Sequence, residues 1–208
     1  MHAVPQVPPS HYTRSGYLTK DRWINYWYQL HWVRNCKPQT LLEVGLGNGI
    51  VKESLEKLGI TVETIDIDPA LEPTYVTSVT NIPVPEATYD FVLCAEVLEH
   101  LPFEDSLKAM KELHRVSKKW VLVTLPHSGY TFSWIMKLPL LPWIERGFKL
   151  PHFWKTHAFQ GEHYWETGKR TWSRKRIQSA LEESGFRVVK TALHPDDPSH
   201  VFYLCEKR

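Results

Sequence analysis

Two sets of residues in this 208-residue chain have types and spacings that could do chemistry. The first is Gly45, Gly47 and Gly49 in LLEVGLGNG, followed some twenty positions later by Asp66 in TIDIDP. Glycines let backbone approach a ligand closely, and a carboxylate at the end of the next strand accepts hydrogen bonds from ribose hydroxyls. That is the layout of an adenosine-binding site. The second set is Glu96, Glu99 and His100 in EVLEH, with His163 further along in GEHYWE. If the EVLEH turn is helical, its positions i, i+3 and i+4 share a face. Two carboxylates and an imidazole on one face need a water or a cation to join them, and His163 could complete a set of two glutamates and two histidines.

The elements that must position these residues can be read from apolar patterning. Leu41, Leu42 and Val44 form a buried strand ahead of the glycines, and residues 50–58 have helical spacing. Val62 and Ile65 mark a second strand ending at Asp66, and a third, weaker strand lies near residues 74–79. YDFVLCA at 89–95 and WVLVTL at 120–125 are nearly continuous apolar runs, as in parallel strands covered on both faces. Helices are expected at 21–35, opened by Thr19 or Asp21, at 103–116, and at 173–184, where Gly185 stops the last of them. Residues 187–193 and 200–206 read as closing strands. Alternating strands and helices with a terminal strand pair predict an α/β fold: a doubly wound, mostly parallel seven-stranded sheet with one antiparallel edge strand and helices on both faces. The expected division is an N-terminal arm and helix over 1–36 and a ligand-binding domain over 37–208.

Composition narrows the function. A formal net charge of +2 gives no global field to recruit nucleic acid or membrane. Three widely spaced cysteines, Cys36, Cys94 and Cys205, argue against a disulfide framework and fit a reducing, cytoplasmic setting. Cys94, inside an apolar run, reads as a core residue. The sequence has no long uncharged apolar stretch of membrane-spanning length, and MHAVPQVPPS reads as a loose, proline-rich arm rather than a secretory signal.

The glycine spacing separates two adenosine-site families. A dinucleotide fingerprint wants a sixth-position glycine, where this chain has Ile50. Glu-Val-Gly-x-Gly-x-Gly resembles motif I of the class I S-adenosylmethionine (SAM) methyltransferases. NIPVPEATYDFVLCAEVLEHL at 81–101, WVLVTLP at 120–126 and SRKRIQSALEESGFRVV at 173–189 are similar to that family's later segments. The resemblance implies that Glu43, Gly45, Gly47 and Gly49 cradle the amino-acid end of SAM, that Asp66 holds the ribose with Ile67 beside it, and that Ser78, Val79 and Thr80 flank the adenine, with Glu96 at the cofactor's edge. Many relatives carry an acid where this chain has Ser78. Asp68 is the alternative ribose residue, although Asp68-Pro69 also suits a turn.

Glu-x-x-Glu-His with a later histidine is similar to two groups of metal-dependent O-methyltransferases, those of ubiquinone synthesis and those acting on small-RNA 3′ ends. The resemblance implies one divalent ion held by Glu96, Glu99, His100 and His163, which would lower the pKa of an acceptor hydroxyl and fix its oxygen. The competing reading makes the turn a brace for its own loop, with His100 or His127, which follows the fifth strand, as a metal-free base. His152 and His157 read as solvated or structural.

The connection over 126–171 is too long for an ordinary loop. Aromatic residues crowd it and also residues 12–32, and both are expected to pack as a lid over the acceptor. Residues 132–150 mix rings, prolines, Lys137, Arg146 and Lys149. They read either as a self-contained helical lid or as an interfacial segment in peripheral contact with lipid. Lys169, Arg170, Arg174, Lys175 and Arg176 form a basic cluster, read as a solvated helix start or a receiver of an acidic acceptor. The expected reaction is SAM-dependent O-methylation of a small or lipid-linked acceptor. RNA ribose methylation and non-catalytic SAM binding are the alternatives, and RNA is disfavoured because no RNA-binding module accompanies the cluster.

Overall fold

The computed structural model describes residues 6–159 and 161–208. The first five residues of the proline-rich arm and Gln160 of the long insert lie outside them. A short helix, α1 (Ser10–Thr13), precedes α2 (Lys20–Cys36). The Thr19 side chain accepts the Arg22 N–H and caps α2, which ends at Lys37 in the left-handed conformation, φ 50°.

The strands β1 (Thr40–Val44), β2 (Thr61–Asp66), β3 (Tyr75–Val76), β4 (Tyr89–Ala95) and β5 (Ser117–Pro126) are parallel, and α3 (Ile50–Lys57) and α4 (Phe103–Val116) connect them. After a long insert come α5 (Arg174–Glu183), β8 (Phe186–His194) and β9 (Asp197–Lys207). The seven-stranded sheet has the order β3-β2-β1-β4-β5-β9-β8. The expected mostly parallel sheet is present. Its one reversed strand, β9, runs antiparallel to both β5 and the outermost β8.

Continuous apolar runs form the central strands because both faces are covered. Leu42, Val44, Val92, Cys94, Val121 and Val123 point to one side and pack with Met110 and Leu113 of α4 and Ile177 and Leu181 of α5. Their neighbours Leu41, Phe91, Leu93 and Leu122 point to the other side, onto Trp32 and Val33 of α2 and Leu55 of α3. Helix α2 thus builds the same core as the sheet. Each fully buried side chain of this size contributes about 1.5–3 kcal/mol, so the strand ends that carry the site are rigidly placed. All three cysteines are free, and Cys94 is in the core.

The insert departs from expectation. Its centre is not a helix but a separate two-stranded antiparallel ribbon, β6 (Gly129–Met136) with β7 (Ile144–Pro151). The rings recur every second residue, Tyr130, Phe132 and Trp134, which is a strand period. Directly paired residues share a face, so Tyr130 with Leu150, Phe132 with Phe148, Trp134 with Arg146 and Met136 with Ile144 make one side that is apolar except for Arg146. Tyr130, Phe132, Trp134 and Phe148 are all more than half exposed. Most of the insert's rings therefore do not pack down as the expected lid. Trp165 is the contrast: it is fully buried.

Candidate active site

The C-terminal ends of β1, β2, β4 and β5 form one rim of a cavity of about 1270 Å³, where ligands bind in open α/β sheets. Gly45, Gly47 and Gly49 all have positive φ, at 82°, 55° and 73°. At Gly45 a Cβ would also lie 2.6 Å from Val97 Cγ2, so the turn excludes a side chain twice over. Below it, Glu43 is buried, and its Oε2 has no hydrogen-bond partner among the described residues. Burial pushes its pKa up to about 8. A buried carboxylate oxygen lining the cavity without a partner fits the ammonium of an amino-acid ligand.

Asp66 ends β2. Its Oδ2 accepts the Leu46 N–H and its Oδ1 the Asp68 N–H, both at 2.9 Å. Asp68 caps the turn Pro69–Leu71 by accepting the Ala70 N–H at 2.9 Å, which favours the turn reading for it. Ile67, Ser78, Val79 and Thr80 line the same cavity. The Ser78 and Thr80 hydroxyls bond each other at 2.9 Å, while the Val79 side chain joins the core.

The EVLEH turn does not form the expected continuous helical face. Glu96 has φ 55°, and a short 3-10 turn begins only at Leu98 (Leu98–His100). Glu96 therefore points away: its Oε1 accepts the Thr124 hydroxyl at 2.8 Å, and its Oε2 lies 3.7 Å from His200 Nε2. Among the described residues, Glu99, His100 and His163 each bring a ligand atom within 4.8 Å of the others. Glu96 is not one of them.

Glu99 is fully buried and neither carboxylate oxygen has a hydrogen-bond partner among the described residues. Burial, then the Glu96 charge, raise its pKa well above the carboxylate range. His100 Nδ1 lies 3.1 Å from the Glu162 carbonyl and 2.6 Å from Gln6 Oε1, both acceptors. That places the proton on Nδ1 and the lone pair on Nε2, 4.0 Å from Glu99 Oε1. Burial and His163 push the His100 pKa down to about 4, and burial lowers that of His163, so both imidazoles are neutral at pH 7. The His163 loop is stitched to the turn. The Tyr164 N–H donates to the Glu99 carbonyl at 2.8 Å. Trp165 Nε1–H donates to the Leu101 carbonyl at 3.1 Å and the Ser106 hydroxyl at 3.2 Å.

The remaining histidines divide. His127 lines the cavity but is buried, with neither ring nitrogen partnered among the described residues. Burial, Lys149 and Arg174 push its pKa down to about 3, a weak base. His157 Nε2 bonds the His163 carbonyl at 2.8 Å, a bracing role. His152 Nδ1 lies 2.8 Å from the Ser128 hydroxyl. In the basic cluster, Lys169 pairs with Glu166 at 2.6 Å and Arg176 stacks over Trp172 at 4.3 Å.

Several lining residues were not legible from the sequence. Tyr12 and Tyr17, from the N-terminal segment, approach the glycine turn: a Cβ at Gly47 would sit 3.8 Å from each. His200 and Asn25 also line the cavity, with Asp197 buried between them. The sequence signal for Asp197 and His200 is only an aspartate and a histidine three positions apart in DPSH, which opens β9.

The comparisons agree with this geometry. A family model described as a methyltransferase domain matches residues 23–191. The chain is 32% identical over 111 residues to a mitochondrial ubiquinone biosynthesis O-methyltransferase of Schizosaccharomyces pombe, covering 44% of this chain and 40% of that protein. It is 31% identical over 109 residues to a ubiquinone biosynthesis O-methyltransferase of Xanthomonas axonopodis, covering 45% of this chain and 46% of the relative. These matches span less than half of either relative. In fold it is similar to the 1,6-didemethyltoxoflavin-N1-methyltransferase of Burkholderia thailandensis, solved with S-adenosylhomocysteine: TM-score 0.62 at 13% identity, covering 99% of this chain and 92% of that one. The glycine turn, the unpartnered Glu43, the strand order and the family match lead to one conclusion: this chain belongs to the class I SAM-dependent methyltransferases.

Proposed function

We propose that the chain methylates a hydroxyl oxygen of a small, lipid-linked phenolic acceptor, with one divalent cation held by Glu99, His100 and His163. The observation that carries this is the three-donor cluster: a fully buried carboxylate with both oxygens unpartnered among the described residues, beside two imidazoles held neutral. Mixed carboxylate and imidazole donors suit Mn, Fe, Co or Zn better than Mg. A bound ion would supply Lewis acidity toward a hydroxyl, and SAM supplies an activated methyl. The protein's part is alignment. The glycine turn and Asp66 fix the cofactor, and the β4 and β5 rim presents the acceptor to it. The partial relatives, named for ubiquinone biosynthesis, favour a catechol carrying an apolar tail.

The apolar face of the ribbon supports the lipid-linked reading. Phe132, Trp134 and Phe148 are exposed together, and Lys137, Arg146 and Lys155 lie on the ribbon or close after it. Such a face suits peripheral contact with an anionic bilayer. Among the described residues no helix is long and apolar enough to cross a membrane. RNA is the weaker acceptor, because Lys169 and Arg176 of the basic cluster are already engaged.

The test is methyl transfer from SAM to a prenylated 3,4-dihydroxybenzoate, before and after chelation, with Mn, Zn or Mg restored one at a time. Transfer that chelator abolishes and a transition metal restores is expected. Full transfer in chelator would overturn the metal. Transfer to RNA, with none to any catechol, would overturn the acceptor.

A further inference from the structure

The polar groups left over by the glycine turn and the three-donor cluster converge on His200. This residue pairs with Pro126 across β5 and β9, so it stands on the same rim as Glu96 and lines the cavity. Its Nδ1–H donates to Asp197 Oδ1 at 2.5 Å. Asp197 is fully buried, and its Oδ2 accepts from Asn25 Nδ2 at 2.9 Å. Asn25 Oδ1 in turn accepts from Gln29 Nε2 at 2.6 Å, and both amides are buried on α2. His200 Nε2 points the other way. It lies 3.7 Å from Glu96 Oε2, too long for a direct hydrogen bond, so that contact does not use up the nitrogen.

A buried carboxylate costs free energy unless it is fully hydrogen-bonded, and here His200 and Asn25 each bond one of its oxygens while Gln29 holds Asn25 in place. Their combined effect is to lock one imidazole with its proton on Nδ1 and its lone pair toward the cavity. Glu96, next to it, sits in the left-handed region, where a non-glycine residue is strained.

We propose that His200 is the catalytic base of methyl transfer, oriented directly by Asp197, which Asn25 and Gln29 hold from behind. The proposal rests on the hydroxyl-methylation reading above. As the acceptor oxygen bonds to the methyl carbon, the S–CH3 bond breaks and its electron pair stays on sulfur. The hydroxyl proton passes to Nε2 and later to solvent. Asp197 keeps the Nδ1 proton in place and stabilises the imidazolium.

The charged and titratable groups facing His200 are Glu96 from the end of β4, Asp197 from its own hairpin and Arg22 from α2. Close by, Lys149 of β7 docks on the Pro198 carbonyl and the His127 N–H donates to the Ser199 carbonyl. Burial draws the His200 pKa down, but Glu96 and Asp197 outweigh burial and hold it above the ordinary 6.5. Transfer should therefore rise with pH through this titration, because the base works only when neutral.

Two measurements on the full chain test the assignment. The first is histidine ¹⁵N NMR of the protein bound to S-adenosylhomocysteine, which needs no acceptor. The expected state on the high-pH side of the His200 titration is Nδ1–H with a bare Nε2, lost in Asp197→Asn. A neutral ring that carries its proton on Nε2 would overturn the proposal. The second is transfer to the prenylated 3,4-dihydroxybenzoate. His200→Gln should lower kcat by about 100-fold or more and remove the low-pH limb, with KM and S-adenosylhomocysteine affinity within about twofold of wild type. Wild-type kcat with an unchanged pH limb would overturn the proposal. Failure of the acceptor reading looks different: wild-type protein with the expected NMR state that transfers nothing to the catechol.

Discussion

Asp66 Oδ2 accepts the Leu46 N–H at 2.9 Å, so the carboxylate that ends β2 also ties down the glycine turn that ends β1. On the proposed reading, cofactor and loop share one side chain. Asp66→Ala therefore removes a ribose acceptor and unfastens the loop together. The expected cost in SAM affinity is about 1–3 kcal/mol, tenfold or more, with β1 and β2 still paired. Calorimetry giving wild-type SAM affinity would remove Asp66 from the site.

Gly47 tests the turn independently. It has φ 55°, and a side chain there would meet Tyr12 and Tyr17 from the N-terminal segment. Gly47→Val should fold, because the residue lies outside the core clusters, yet bind no SAM. A thermal melt near wild type with SAM binding intact would reduce the loop to an ordinary turn.

Glu43 gives a pH prediction for the ligand-free protein. Its folded pKa is raised to about 8, against an ordinary 4.5. Below the unfolded value both states hold the proton, and its contribution to stability is fully present. As pH rises toward about 8, the unfolded chain gives up the proton first and that stability is lost, with a slope of up to about 1.4 kcal/mol per pH unit. Glu43→Gln should flatten urea-unfolding free energies between about pH 5 and 8. An identical slope in both proteins would show that another group controls it.

Much of this was legible before any coordinates. Central strands such as YDFVLCA are continuous apolar runs because both faces are covered, and α4 was bounded correctly at Phe103–Val116 because its amphipathic period is clean. Gly45, Gly47, Gly49 and Asp66 were legible because each sits at a strand end, where local pattern and site coincide. The ribbon was not. Its apolar residues alternate, but nothing covers them, so their hydrophobicity carried no information about a core. The Asp197–His200 pair escaped because its partners, Asn25, Gln29 and Glu96, come from distant parts of the chain and meet only when α2 packs across β9. Glu96 left the expected donor set for a local reason: its positive φ breaks the helical phase between it and Glu99.

The proposed metal site and the proposed cofactor site can be tested separately. Glu99, His100 and His163 lie on the β4 and insert side of the cavity, whereas the site proposed for SAM is the β1 turn and Asp66. His163→Ala should weaken Mn or Zn affinity by at least about tenfold and leave SAM affinity unchanged. Trp165, not His163, anchors the loop, so the fold should survive. Unaltered metal affinity in both His163→Ala and Glu99→Gln would make the cluster a brace for its own turn.

If the acceptor is lipid-linked as proposed, the ribbon is the surface that would bring it to the site. Tyr130, Phe132, Trp134 and Phe148 are 55%, 63%, 60% and 62% exposed, and the β6–β7 pairing places them on one side. An apolar face of this kind on a soluble surface usually marks an interaction site. It is joined through Gly129 and Ser128 directly to the cavity wall, so a bilayer seated on it would lie beside the acceptor rim. Replacing Phe132, Trp134 and Phe148 together by Ser should cut co-sedimentation with phosphatidylglycerol vesicles by about tenfold or more, since each ring carries a large apolar area. Transfer to a short, water-soluble catechol should stay within about twofold, because none of the three lines the cavity. Transfer to the same catechol carrying a long prenyl tail in vesicles should fall with vesicle binding. Undiminished vesicle binding by the triple variant would exclude the ribbon as the membrane contact. A loss of transfer to the short acceptor as well would show that the ribbon shapes the site itself rather than delivering substrate to it.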